Sequence, residues 1–233
     1  MTALQGRKEL KFVCDDRLLI QIENRIKGIM KKDAHQSGAS YNVRSIYFDS
    51  PYDDCLSDNE SGIGSRSKYR IRIYDCSDSV IKAEVKNKYY DTTMKESSSI
   101  TRDQFLACIN AGSLSSISGN IKNNEAVMKL ASKITAEGYR PAAIVEYERT
   151  AYTYPLCNVR VTFDRNIAAG KDYARFFDKD MPVRPVCAKG FHILEIKYDE
   201  FLPDYLRSLL SASDMRRTSF SKYYMGRLAL RDY

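Results

Sequence analysis

The stretch 68–86, KYRIRIYDCSDSVIKAEVK, limits what this chain can fold into more than any other. Successive side chains of a β-strand point to opposite faces, so Lys68, Arg70 and Arg72 share one face and Tyr69, Ile71 and Ile73 the other. Residues 75–79 read as a turn. Beyond it the pattern repeats, with Lys82, Glu84 and Lys86 opposed to Ile81, Ala83 and Val85. The stretch is a hairpin with an apolar face and a face of five cations and one carboxylate.

The remainder reads as more strands of this kind, with helices to cover their apolar sides. A strand over 7–14 puts Glu9 and Lys11 on one face with Arg7 and Val13. Asp15 then caps an amphipathic helix over 16–32 that buries Leu18, Leu19, Ile22, Ile26, Ile29 and Met30. A strand over 41–48, a short helix over 53–61 and a flexible approach at 61–65 lead to the hairpin. The GxG at 62–64 lacks a third glycine and precedes a strand, so it is not a nucleotide fingerprint. Residues 87–93 read as a turn and 94–100 as a strand that presents Lys95. Thr101 and Gln104 form a capping box for a helix to about 111. A Ser/Gly-rich loop over 112–119 and a helix over 123–136, stopped at Gly138, come next.

Strand character returns over 141–152, where Val145, Tyr147 and Arg149 share one face and Glu146 and Glu148 the other. It recurs over 157–164, which groups Arg160, Thr162 and Asp164, and over 191–198, which groups Glu195 and Lys197. Helices over 203–211 and 221–230 end the chain, while 165–190 has no readable pattern. No repeat or boundary divides it, so 1–233 reads as one domain.

A content of 43% hydrophobic and 29% charged residues is ordinary for a globular protein, and the net charge of +7 points to an anionic partner. Six scattered cysteines, with no CxxC and no Cys–His cluster, suit thiols of a reducing cytoplasm. The first residues have no apolar segment to serve as a signal and no stretch reaches transmembrane length, so the expectation is a cytoplasmic chain without a membrane segment. His35 and His192, the only histidines, leave little for histidine-centred catalysis.

Two arrangements satisfy the charged strand faces, which carry Glu9, Lys11, Lys68, Arg70, Arg72, Lys82, Glu84, Lys86, Lys95, Arg149, Arg160, Asp164, Glu195 and Lys197. In an open sheet they meet solvent, as charged strand faces usually do. In a closed barrel they line a lumen, which suits a highly charged guest. Arginines and lysines then grip phosphate oxygens, and carboxylates hold a hard divalent cation. That is the equipment of phosphoryl transfer, which depends on positioning and charge neutralisation. Spacing does not choose between the two.

In order along the chain, ELKF, YRIRIYD followed by AEVK, VEYERTAY, VRVTFD, LEIKY and SFSKYYMGRL resemble the motifs of the VTC domain. This is the polyphosphate polymerase domain of the vacuolar transporter chaperone family, within the triphosphate tunnel metalloenzymes of the CYTH-like superfamily. The likeness spans about 7 to 230 and is to the bacterial stand-alone form, without an SPX domain. It implies an α+β fold, an antiparallel eight-stranded β-barrel tunnel with helices packed on the outside. The implied cofactor is a divalent metal, Mn²⁺ foremost and Mg²⁺ as the alternative. On the same resemblance Arg70, Arg72, Lys86, Arg149 and Lys222 are the catalytic cations. Lys11, Lys68, Lys95, Tyr147, Arg160, Lys197 and Ser221 bind substrate, and Glu195, Glu9 and Glu84 hold metal. Two departures stand out: Arg7 replaces the leading glutamate of the CYTH ExExK signature, and Ser219 sits where some eukaryotic polymerases carry lysine. Lys82 and Lys95 also read as solvated charges, Tyr147 as a packing residue and Asp164 as a salt-bridge partner.

The expected activity is ATP-dependent polyphosphate polymerisation, with the end phosphate of the chain attacking the ATP γ-phosphate and ADP leaving. The alternatives are a metal-dependent tunnel triphosphatase, which uses water instead, and a non-catalytic module that binds polyphosphate. ATP and polyphosphate or triphosphate are the expected partners. Nucleic acid is not, because Tyr69 alternates away from Arg70 and Arg72. Nothing in the sequence bears on oligomeric state.

Overall fold

The computed structural model describes residues 7–34, 36, 38–90, 92–110, 125–212 and 215–231. Its strands are β1 (Lys8–Asp15), β2 (Lys31–Lys32), β3 (Tyr41–Asp49), β4 (Ser65–Tyr74), β5 (Ser77–Tyr89) and β6 (Thr92–Ile100). Then come β7 (Arg140–Tyr154), β8 (Val159–Gly170), β9 (Arg184–Pro185), β10 (Phe191–Tyr198) and β11 (Arg216–Arg217). The helices are α1 (Asp16–Ile26), α2 (Asp54–Glu60), α3 (Arg102–Ile109), α4 (Glu125–Glu137), α5 (Asp204–Leu210) and α6 (Lys222–Ala229).

All these strands join one antiparallel sheet in the order β11-β1-β10-β8-β7-β3-β4-β5-β6, with β2 added to β7 and β9 to β8. The antiparallel α+β architecture that the family resemblance implies is therefore present. A closed eight-stranded ladder is not, among the described residues. The outer edge of β1 meets β11 at Phe12 and Val13, and meets β6 through one bridge, Arg7 opposite Thr93.

The apolar faces of the strands are covered in two regions. Ile71, Ile73, Ala83 and Val85 pack with Phe105, Val127, Leu130 and Ile134 of α3 and α4. Leu19, Ile22 and Ile26 of α1 and Leu206 and Leu210 of α5 pack on Val161, Phe163, Leu194 and Ile196. Full burial of each of the larger side chains, Ala83 excepted, stabilises the fold by about 1.5–3 kcal/mol. Not every helix lies on that side. On α6, a Cβ at Gly226 would come within 2.9 Å of Val145 Cγ2 and 3.4 Å of Ala169 Cβ. Val145 shares its face with Tyr147 and Arg149, so α6 packs against the charged side of the sheet, contrary to helices solely on the outside.

Several boundaries differ from the sequence reading. The helix expected over 16–32 stops at Ile26, because Lys31 and Lys32 pair with Thr153 and Tyr152 of β7, and Ile29 is exposed. The hairpin turn narrows to Asp75 and Cys76, both at positive φ as a tight two-residue connection requires. Residues 87–93 are mostly strand, since the β5–β6 ladder continues to Tyr89 opposite Thr92. Part of 165–190 is ordered by contacts distant in sequence. There β8 runs on to Gly170, and the buried Arg44 guanidinium donates to the carbonyls of Phe176 and Asp178, each at 2.7 Å. The loop expected at 112–119, the start of the helix at 123–124 and His35 lie outside the described residues. All six cysteines are free thiols. Among the described residues no helix is long and apolar enough to cross a membrane.

Candidate functional site

The inner faces of β1, β4, β5, β7 and β10 converge with α6 on a cavity of about 460 Å³. Strand alternation supplies the walls: Lys68, Arg70 and Arg72 from β4, Lys86 from β5, Glu9 and Lys11 from β1, Glu195 and Lys197 from β10, and Tyr147 and Arg149 from β7. Ser221 and Lys222 enter at the start of α6, where the Ser221 hydroxyl caps the helix by accepting from Tyr224 N–H at 3.2 Å. Among the described residues, eleven basic side chains and two carboxylates line the space.

Buried carboxylates fix the cations from behind. Asp164, wholly buried, accepts from Arg149 Nε and Nη2 at 2.6 and 2.8 Å and lies 2.6 Å from Lys222 Nζ. Glu84 plays the same part on the opposite wall, at 2.7 Å from Arg70 Nη2, 2.8 Å from Lys95 Nζ and 3.8 Å from Arg72 Nη1. Hydroxyls complete the frame. Arg70 donates to Tyr47 at 3.1 Å, and Arg72 donates to Ser45 at 3.2 Å and Tyr147 at 3.3 Å. Lys68 donates to Asn59 at 2.6 Å and to Ser221 at 2.8 Å. Tyr223 anchors α6 by stacking on Tyr47, with ring centres 5.2 Å apart, and by a hydrogen bond to Asp49.

The cations are packed closely enough to shift one another. Burial, reinforced by Lys11 and Arg66, pushes the Lys68 amine down to about 7. Burial likewise brings Lys11 and Lys197 down to about 8, because the attraction of Glu9 does not offset it, and Lys86 also falls well below its ordinary value. Burial would raise the Tyr147 phenol, but the Arg149 and Arg72 charges outweigh it and bring it down to about 8. The Glu9 carboxyl is held well below the carboxylate range, because Lys197, Lys86 and Lys11 outweigh its burial. Such a site is short of negative charge.

Twelve of the fifteen residues singled out from the sequence line this cavity. Three do not. Glu84 sits beneath Arg70, Lys95 is half-exposed on the far side of Glu84, and Arg160 pairs with Asp33 at 2.9 Å. Asp164 takes the salt-bridge role, and Lys82 bonds Ser99 at 2.7 Å. The sequence reading missed Arg66, Lys88, Tyr47, Asn59, Arg217 and Thr218. Arg66 and Lys88 merely extend the alternation of β4 and β5 by one step and were findable that way. The others reach the cavity from β3 (Tyr47), α2 (Asn59) and β11 with the residue after it (Arg217 and Thr218).

Glu9 and Glu195 are the carboxylates suited to a divalent cation. They sit on paired strands, and Lys197 lies within 3.9 Å of Glu9 and 3.3 Å of Glu195. Glu9 Oε1 is buried and accepts no hydrogen bond among the described residues, with Lys11 Nζ 3.4 Å away. Among the described residues no group of three His, Cys, Asp or Glu gathers as a metal site. A hard cation held there would need its remaining oxygens from phosphate and water, as Mg²⁺-type ions commonly do. The Glu84 carboxylate is already spent on Arg70, Arg72 and Lys95.

Residues 6–231 match the family model described as the VTC domain. The PH1819 protein from Pyrococcus horikoshii OT3 is similar in structure, with a TM-score of 0.50 and 14% identity over 97% of this chain and 99% of that one. A putative adenylate cyclase from Bacillus halodurans gives a TM-score of 0.46 and 12% identity over 88% of this chain and 87% of its own. At 14% identity the likeness to the PH1819 protein speaks to the fold alone. Among curated proteins, none matches.

Proposed function

The chain belongs to the VTC-domain family, and from that premise we propose that it is an ATP-dependent polyphosphate polymerase working in a tunnel-like bore. The observation that carries this reading is the excess of eleven cations over two carboxylates around one cavity, with the key guanidinium groups fixed from behind by Asp164 and Glu84. Fixed donors of this kind stabilise charge without reorganising as it develops.

The triphosphate of ATP lies along Arg70, Arg72, Lys86, Arg149 and Lys222, with Lys11, Lys68, Lys197, Tyr147 and Ser221 around it. A terminal oxygen of the growing chain forms a bond to the γ-phosphorus as the bond to the β,γ-bridging oxygen breaks, and ADP leaves with that electron pair. When bound, a divalent metal (Mn²⁺ foremost) held by Glu9 and Glu195 supplies further neutralisation of the phosphate oxygens. The attacking phosphate is already ionised and needs no base. Hydrolysis would also need a water to be oriented for attack, and Glu9 is a poor protein base for it: Lys86 lies 2.9 Å away and its carboxyl is held well below the usual range.

Incubation with ATP and Mn²⁺ tests the proposal. A DAPI-reactive polymer together with ADP is the expected product. Orthophosphate without polymer points instead to a tunnel triphosphatase, and polyphosphate binding without turnover in any metal points to a binding module.

A further inference from the structure

We propose that the groove between α1 and β11 is a second polyanion site, an outer track that holds the polyphosphate chain where it leaves the cavity. The groove has a volume of about 830 Å³, and Arg217 and Thr218 line both it and the cavity, so the two spaces share a wall. Arg17, Gln21 and Arg25 recur every fourth residue along α1 and therefore lie on one face of the helix. That face lines the groove together with Arg216 and Arg217 of β11. Arg25 also donates to the Ser211 carbonyl at 2.9 Å, which ties the helix to the segment leading into β11.

Arg17, Arg216 and Arg217 have no carboxylate partner among the described residues. Among the lining residues Asp15 is the one acid, and its carboxylate caps α1 by accepting from Leu18 N–H at 2.7 Å. Cations this exposed each bind a lone anion weakly. A regularly charged chain engages several at once while its end stays anchored in the cavity, and linked contacts raise overall affinity. The arrangement therefore favours an extended polyphosphate over a short one.

This inference rests on the cavity being a polyphosphate site, and the experiment separates the two. Binding of tripolyphosphate and of polyphosphate tens of units long is measured for the wild-type protein and for the Arg17→Gln/Arg216→Gln variant over a range of salt. Neither substituted residue touches the cavity. The variant should bind tripolyphosphate as the wild type does and the long chain roughly tenfold more weakly, the scale of two exposed ion pairs. Its salt slope for the long chain should fall by about two. Unchanged long-chain affinity in the variant, or equal losses for both anions, overturns the track while leaving the cavity reading intact. A wild-type protein that binds neither anion overturns both. Tighter binding of a single-stranded oligonucleotide of equal charge overturns polyphosphate as the occupant of the groove.

Discussion

Lys222 Nζ lies 2.6 Å from Asp164 Oδ2, joining the first turn of α6 to the middle of β8. The same carboxylate fixes Arg149 from β7, so one wholly buried acid sets the position of two cavity cations. Its carboxyl is held well below the usual range, since Arg149 and Lys222 outweigh the effect of burial.

Replacing Asp164 by Asn keeps the shape and removes the charge. Breaking a buried pair from one side leaves uncompensated charge, so the unfolding free energy should fall by about 3–5 kcal/mol. Denaturant titration measures it, and added tripolyphosphate should recover part of the loss by supplying anions to Arg149 and Lys222. A variant as stable as the wild type would show that Asp164 is not their anchor.

Arg72→Lys preserves charge but not geometry. Arg72 reaches Ser45 and Tyr147 with different nitrogens of its planar fork, and a lysine amine cannot hold both directions while facing the cavity. ATP turnover should drop by roughly a hundredfold, the scale of losing one fixed donor. Steady-state kinetics showing wild-type turnover would remove Arg72 from the proposed machinery.

The depressed lysines give phosphate binding a defined pH dependence. An anion favours the charged amine, so binding raises the pKa of Lys68 from about 7, and those of Lys11 and Lys197 from about 8, and the complex holds more protons than the free protein. Affinity for tripolyphosphate, corrected for the ligand's own ionisation, should be highest below about 7 and fall as pH rises through about 8. Calorimetry in two buffers of different ionisation enthalpy should show net proton uptake at pH values above about 7. Proton release in that window would contradict the assignment.

Gly226→Val tests the seating of α6. Even a Cβ there approaches Val145 within 2.9 Å, so a branched side chain must lift the helix. Overpacking of this kind costs about 1–3 kcal/mol. Thermal melting should register that loss, and tripolyphosphate affinity should fall with it because Lys222 and Ser221 move with the helix. A loss of stability with unchanged affinity would separate α6 packing from the cavity.

Most of the site was legible as alternation. Lys68, Arg70, Arg72 and Lys86 follow from period two along β4 and β5, and a strand places such residues on one face whatever it pairs with. Glu84 shares that parity with Lys86, yet it lies beneath Arg70 instead of lining the cavity. Parity gives the face, and side-chain pairing then decides which groups of that face reach open space. Arg160 has a partner of the same kind in Asp33, which follows the segment expected as helix over 16–32.

The sequence by itself determined the long strands, their charged and apolar faces, the caps of α1 and α3 and the family likeness, because each depends on neighbours a few residues apart. Tertiary structure alone decided that α6 packs against the charged face, that Asp164 bridges Arg149 and Lys222, and that β11 and a single Arg7–Thr93 bridge stand at the outer edge of β1. Those features join residues far apart in the chain. Their energies come from close packing and from burial of opposite charges, and no local pattern encodes either.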